Sequence, residues 1–296
     1  ASKEVKIHSL YDKLKRNKPL TFIKYLICFF FVQGIGVIPF HSLAQGNLLI
    51  FPTRVVFEGN KKTQEINLSN IGKDTATYFI SLVNLKMNET GMFENINIPD
   101  SGQFFADKYL RIFPRKVIIP PNESQIVKIQ RLKTEQLNQS EYRSHLYFRA
   151  EPTKEALGAE TENVDTTAIS IQLKAVFGIT IPVIIRVGES NANVNISDLS
   201  FNMVNDSTPV IKMKLNRTGN MSVYGDVEVK YILSNVIDKK AGLAKGVAVY
   251  TPNKSRWFEL TLDKNISYDP KGKLRVIYST QQGDKLTEKE CVIKIK

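Results

Sequence analysis

The stretch Thr167–Gly188 constrains the fold more than any other part of this chain. Every odd position from Ile169 to Ile181 is apolar: Ile169, Ile171, Leu173, Ala175, Phe177, Ile179 and Ile181. The even positions open with Ser170, Gln172 and Lys174. Strict period-two alternation rich in β-branched residues predicts a strand rather than a helix. Strands average about 5–6 residues, so this row is longer than one sheet position needs. A polar run from Lys154 to Asp165 precedes it, and the loop-forming Gly188-Glu189-Ser190-Asn191 follows. Two readings stay open: the last core strand of a β-domain, or an edge strand partly lent to another protein.

Its neighbours share the period. Asn47–Gly59 reads as a strand bent at Pro52. Gln64–Asn70 alternates with Ile66 and Leu68 inward and ends at the turn Asn70-Ile-Gly-Lys-Asp74. Thr75–Asn84 is a third strand, Glu89–Gln103 a polar connection, and Tyr109–Ile119 one or two strands around Pro114. Pro120-Pro121 marks a tight turn, because proline fixes φ and has no amide hydrogen for a ladder. Ser124–Leu132 and Tyr142–Ala150 complete the set; in the latter Arg143, His145, Tyr147 and Arg149 share one face. After the linker, Val194–Asn202, Val210–Asn216, Tyr224–Ser234, Gly246–Tyr250, Trp257–Leu262, Lys273–Ser279 and Lys289–Lys296 read the same way. Short strands at this spacing without helices predict an all-β chain with two immunoglobulin-like β-sandwich domains in tandem. The expected division is 1–44 as a signal peptide, 45–188 as the first sandwich and 189–296 as the second.

The N-terminal reading rests on Lys13, Lys15, Arg16 and Lys18, then the apolar run Tyr25–Ile38, then the small residues Ser42 and Ala44 before Gln45. That order is the grammar of a secretory signal, and the run is shorter than the ~20 residues of a spanning helix. An uncleaved anchor is the alternative. Removing 1–44 takes away seven of 41 basic and two of 29 acidic side chains, leaving 34 against 27, a net +7 in place of +12. No basic run argues for nucleic acid. Cys28 lies in the signal, so the exported chain keeps only Cys291, in a strand-like run, and has no internal disulfide. A chain of this size folds on its core alone.

Catalytic signatures are scarce. Beyond the signal only His145 remains, without metal-ligand spacing around it. No phosphate loop or nucleophile elbow is present. The acidic residues Glu155, Glu160, Glu162 and Asp165 sit in loops. The expectation is a protein that is no enzyme, with no cofactor, no metal and no ATP. A hydrolase on a β-sandwich carries the least support.

Four segments then carry a resemblance. They are Phe51-Pro-Thr-Arg-Val-Val-Phe-Glu-Gly, Pro120-Pro-Asn-Glu-Ser-Gln-Ile-Val-Lys-Ile, Glu141-Tyr-Arg-Ser-His-Leu-Tyr-Phe-Arg-Ala-Glu-Pro and Phe177-Gly-Ile-Thr-Ile-Pro-Val-Ile-Ile-Arg. In this order and spacing the chain resembles the periplasmic chaperones of the chaperone–usher pilus pathway, the PapD-like family. The similarity is strongest over 47–188 and continues more weakly through Leu215-Asn-Arg-Thr-Gly-Asn and Gly246-Val-Ala-Val-Tyr-Thr-Pro-Asn.

The resemblance implies a periplasmic protein that binds pilus or fimbrial subunits and serves an outer-membrane usher. It also implies donor-strand complementation, in which the chaperone lends its last first-domain strand to an incomplete subunit sandwich. Main-chain hydrogen bonds then supply affinity and pockets for alternate side chains supply fit. The expected donor residues are Ile169, Ile171, Leu173, Ala175 and Phe177, and the exposed strand also invites self-association. Arg54 matches the cleft arginine that holds the subunit's C-terminal carboxylate, a role suited to a planar, permanently charged fork. The family's second anchor is a lysine; here the register places Phe177 or Gly178 at that point. Lys174, on the opposite parity from the apolar row, stands as the second anchor residue, with Arg143 and Arg149 as substitutes. The competing reading is an exported two-module adhesive or structural protein.

Overall fold

The computed structural model describes residues 47–132, 137–151, 176–233 and 238–293. They form two β-sandwiches. Strands β1 (Leu48–Phe51), β2 (Val55–Phe57), β3 (Thr63–Asn70), β4 (Ala76–Val83), β5 (Leu85–Met87) and β6 (Phe93–Asn95) come first. After a single 3-10 turn, β7 (Leu110–Phe113), β8 (Lys116–Ile119), β9 (Ser124–Arg131), β10 (Glu141–Ala150) and β11 (Gly178–Arg186) complete the first sandwich. Its sheets run β1-β3-β9-β7 and β2-β11-β10-β4-β8, with β5 and β6 a separate hairpin. Phe57, Ile66, Leu68, Ile119, Val127, Ile129, Leu146, Phe148, Val183 and Ile185 fill the space between them.

The second sandwich follows with β12 (Asn193–Val204), β13 (Thr208–Thr218), β14 (Val223–Ile232), β15 (Lys239–Val249), β16 (Ser255–Thr261), β17 (Lys273–Ser279) and β18 (Lys285–Val292). Sheets β12-β13-β16 and β15-β14-β17-β18 enclose Ile211, Met213, Leu215, Val227, Val229, Leu274, Val276 and Tyr278. Strand β14 keeps a clean alternation, burying Val223, Gly225, Val227, Val229 and Tyr231, as one covered sheet face requires.

Two expectations need correction, and a third lies partly outside the described residues. Asn47–Gly59 is not one bent strand: β1 pairs antiparallel with β3, whereas β2 pairs parallel with β11 in the opposite sheet. Pro52, with no amide hydrogen, sits where the chain changes sheets. Val55 and Phe57 are buried accordingly, but Phe51, before the crossing, is 73% exposed. Pro114 separates β7 from β8 across the two sheets in the same manner. Second, the polar connection expected over Glu89–Gln103 contains β6, which pairs with β5 as a hairpin. Third, Thr167–Gly188 is described as strand only from Gly178 onward. Ile169, Ile171, Leu173, Lys174 and Ala175 lie outside the described residues.

Turn chemistry agrees with the sequence at Asn70–Asp74. Buried Asn70 donates from Nδ2 to the carbonyls of Asp74 and Ile119, at 2.8 and 2.9 Å, and its Oδ1 accepts from the Gly72 amide. One side chain thus closes the β3–β4 turn and ties it to β8.

Candidate functional site

The outward face of the β2-β11-β10-β4-β8 sheet carries the residues singled out from sequence, and its lower end meets the second sandwich. Met87, Ile184, Ala248 and Tyr250 form a small buried apolar cluster at this junction, with Val56 and Tyr224 packed against it. Parity puts Val56 and Ile184 there, since their neighbours Val55, Phe57, Val183 and Ile185 point into the first core.

Arg54 immediately precedes β2. Its guanidinium carbon lies 4.4 Å from the centroid of the Tyr224 ring, a cation–π contact across the junction. Its Nε and Nη2 are buried without a hydrogen-bond partner. Arg54 lines a cleft of about 430 Å³ with Val56, Glu58, Arg186, Ser222 and Tyr224 among its walls.

A charged clamp crosses beside it. Glu141, at the start of β10, is fully buried; its Oε2 accepts from Arg186 Nε at 3.1 Å, the Ser222 amide at 3.1 Å and the Ser222 hydroxyl at 2.6 Å. Arg186, at the end of β11, also donates to Glu58 Oε1 at 2.8 Å and to the Ser222 carbonyl at 3.0 Å. Three guanidinium contacts therefore spread over both sandwiches, a geometry suited to the arginine fork.

Arg143 sits deeper, only 2% exposed. Its Nη2 donates to the carbonyls of Leu85 and Thr251, at 3.3 and 3.4 Å, and its guanidinium carbon lies 4.2 Å from the Tyr250 ring centroid. Burial lowers its pKa, with Arg54 pushing the same way. His145, two residues on, is also buried, with Phe93 edge-on at 5.1 Å between ring centroids. Burial first and Arg143 second lower its pKa to about 3, so the imidazole is neutral near pH 7.

The expected site residues fare unevenly. Arg54 lies at the cleft. Phe177 is 50% exposed and precedes β11. Gly178 bears no side chain, and a Cβ there would meet the Tyr147 ring. The outward row of β11 is uncharged through Gly178, Thr180, Pro182 and Ile184 until Arg186. Arg143 is committed to the junction, and Arg149 lies 5.6 Å from the Phe79 ring centroid, on the outer part of the sheet. Sequence reasoning counted Phe177, Ile179 and Ile181 on one apolar row. Ile181 is 3% exposed, but Ile179 is 36% exposed. It missed the Glu141–Arg186–Ser222 clamp altogether. A polar residue opening a strand gives no sign of burial unless the covering domain is known.

Edge pairing bears directly on function. Strand β11 pairs with β10 along its whole length, but with β2 only over Val183–Ile185. Among the described residues, nothing pairs with the outer edge of 178–182. Among them, too, no three His, Cys, Asp or Glu side chains converge to hold a metal ion.

No protein-family model matches the chain, and no curated protein matches it. Several solved structures of fimbrial chaperones are similar. The class 5 fimbriae chaperone CfaA is 20% identical over 84% of this chain and 99% of its own, with a TM-score of 0.38. The Escherichia coli chaperone DraB is 12% identical over 83% and 96%, with a TM-score of 0.41. The Salmonella enterica SafA pilin–SafB chaperone complex gives 13%, 83%, 96% and 0.38 for the same measures.

Proposed function

We propose that this protein is a periplasmic chaperone that captures fibre subunits by lending them the strand that runs into β11, and that delivers them for assembly through an outer-membrane usher. The single observation that carries this reading is the fate of the odd-numbered row. Ile185, Val183 and Ile181 fill the protein's own core, and from Ile179 outward the same row leaves it. At that same point the outer edge of the strand is unpaired among the described residues. An unpaired, apolar strand edge is an aggregation hazard, and it is a template for β-strand addition. The sequence carries the alternation upstream through Ala175, Leu173, Ile171 and Ile169, and these residues with Phe177 are the proposed donor set. The division proposed for the chain remains a cleaved segment 1–44 and sandwiches at 45–188 and 189–296.

Arg54 is the proposed anchor for the subunit's terminal carboxylate, because its Nε and Nη2 are unpartnered beside the cleft. Lys174 is the second anchor in this proposal. The chemistry is binding throughout.

The experiment compares wild type, Arg54→Ala and Ile171→Asn/Leu173→Asn for partner co-purification from cell envelopes, with thermal unfolding of each. Loss of one charge-assisted contact costs about 1.5–3 kcal/mol of binding, so Arg54→Ala should weaken capture more than tenfold while melting changes little. The Asn pair should abolish capture with unfolding near that of wild type. Undiminished capture by both variants would refute the chaperone reading and leave a two-module structural or adhesive protein.

A further inference from the structure

The outward face of the β2-β11-β10-β4-β8 sheet holds a close fit between Tyr147 and Gly178, beside the free edge of β11. The register partner of Tyr147 on β11 is Thr180, yet the half-buried ring lies against Gly178, two residues along. A Cβ at Gly178 would stand 2.6 Å from both the Tyr147 Cζ and its hydroxyl oxygen. Any side chain at 178 would displace the ring. The φ of Gly178 lies outside the left-handed region, so its backbone does not require glycine. What matters there is the missing side chain, which lets the phenol cross from β10 onto β11.

The row that ends at Gly178 is cationic. Lys116, Phe79, Arg149 and Gly178 stand side by side across four strands. Lys116 Nζ lies 4.9 Å and the Arg149 guanidinium carbon 5.6 Å from the Phe79 ring centroid. Glu151 engages Lys116 at 3.5 Å, and Arg149 has no carboxylate partner among the described residues. Nothing among those residues pairs with the outer edge of β11 at Gly178. A strand added to that edge would lie about 4.8 Å from β11, and its residue beside Gly178 would take the next place in the row. Opposite charges favour cross-strand neighbours and like charges oppose them. The Tyr147 hydroxyl, already above Gly178, offers that residue a donor.

We infer that the segment captured at this edge carries an acidic side chain, Asp or Glu, in register with Gly178, bound by the Tyr147 hydroxyl in the field of Arg149. Tyr147 then determines which partner strands, and which registers, the edge accepts. The inference rests on the strand-addition reading and deepens it, by naming a chemistry that the partner must present. A carboxylate suits the place better than an amide, because a hydroxyl bonds an ionised acceptor more strongly than a neutral one and Arg149 adds its charge. A basic residue at the same position would meet Arg149 as a like charge. The contact is distinct from Arg54, which precedes β2 and lies toward the other end of β11, where Val55 pairs with Val183.

The test takes the subunit that the wild-type chain co-purifies from cell envelopes, identified by mass spectrometry, and refolds it from urea with each variant of the full chain. Complex yield over a dilution series gives relative affinity, and thermal melting of each free variant checks its fold. Tyr147→Phe keeps the ring and removes only the donor; capture should weaken roughly fivefold or more while melting stays near wild type. Arg149→Glu, at an exposed position, should also weaken capture roughly fivefold or more, and Arg149→Lys should retain most of it. Among Asp→Asn and Glu→Gln variants of the subunit's pairing strand, one should lose affinity and respond no further to Tyr147→Phe, the coupling that a direct contact requires. Equal capture by wild type and Tyr147→Phe, or no acidic position of the subunit coupled to Tyr147, would overturn the inference and leave strand addition standing. Should the wild-type chain capture no subunit, strand addition and the acidic contact fall together.

Discussion

Ile181→Asn and Ile179→Asn place the same polar group two residues apart on one row of β11, and the sandwich should feel them very differently. Ile181 is 3% exposed. Its replacement forfeits about 1.5–3 kcal/mol of apolar burial and leaves an amide without partners, a further penalty of about 1–3 kcal/mol. The expected loss is about 2.5–6 kcal/mol, a large fraction of the stability of an ordinary domain. Ile179 is 36% exposed, so its Asn amide reaches water and the second penalty vanishes. Only part of the first remains, about 1–2 kcal/mol. Urea unfolding followed by circular dichroism reads the difference. With m near 1–3 kcal/mol per molar, the two midpoints should separate by about 1–2 M. The sole tryptophan, Trp257, lies on β16 in the second sandwich. Its fluorescence should therefore follow the first-sandwich transition poorly and provide an internal control. Equal destabilisation by the two variants would mean that the row is still core at Ile179. The argument for a strand leaving its own sandwich there would then collapse.

Glu141→Ala removes the acceptor shared by Arg186 and Ser222 and leaves Arg186 with Glu58 and a carbonyl. Breaking such a buried pair costs about 3–5 kcal/mol, and small-angle scattering should show a broader distribution of arrangements of the two sandwiches. Unchanged stability would show that the clamp is dispensable. For His145 the folded pKa of about 3 lies below the unfolded value of about 6.5. Between these values the unfolded chain binds the extra proton, so stability is complete above pH 6.5 and falls as pH drops toward 3, by a few kcal/mol at most. His145→Leu should flatten that limb of the stability–pH curve; an unaltered slope would place the acid sensitivity elsewhere. Gly91, in the hairpin turn, has φ +87, and a Cβ there would lie 2.3 Å from Arg256 Nε. Gly91→Ala should cost about 1–2 kcal/mol from the left-handed backbone and perturb Trp257, whose amide donates to the Glu89 carbonyl at 2.7 Å. Wild-type stability and fluorescence would refute the hairpin's docking on β16.

Much of the architecture was legible in advance because alternation is a local property. The row Ile66, Leu68 and the row Val227, Val229, Tyr231 announce covered sheet faces from period alone, and Asn70–Asp74 announces its turn through side-chain chemistry. Alternation states which residues share a face. It does not state which sheet a strand joins, so the crossing from β1 to β2 at Pro52 read as a mere bend. Nor did the polar connection Glu89–Gln103 betray a hairpin, because β5 and β6 are only three residues each.

The candidate site divides along the same line. Arg54 and the proposed donor row were read from residue type, spacing and resemblance, all of which reside in the linear chain. Arg143 and His145 were read correctly as sharing a strand face, yet that face looks solvated in sequence and is buried in the folded molecule. The first six residues of β10 are all buried, on both faces, because the β5–β6 hairpin and the second sandwich together cover the side that the first core does not. Burial of Glu141, the lowered pKa of His145 and the unpartnered guanidinium nitrogens all follow from that covering. No periodicity within 141–150 encodes it, since the groups that cover these side chains include Leu85, Phe93, Ser222, Tyr250 and Thr251, brought there only by tertiary packing.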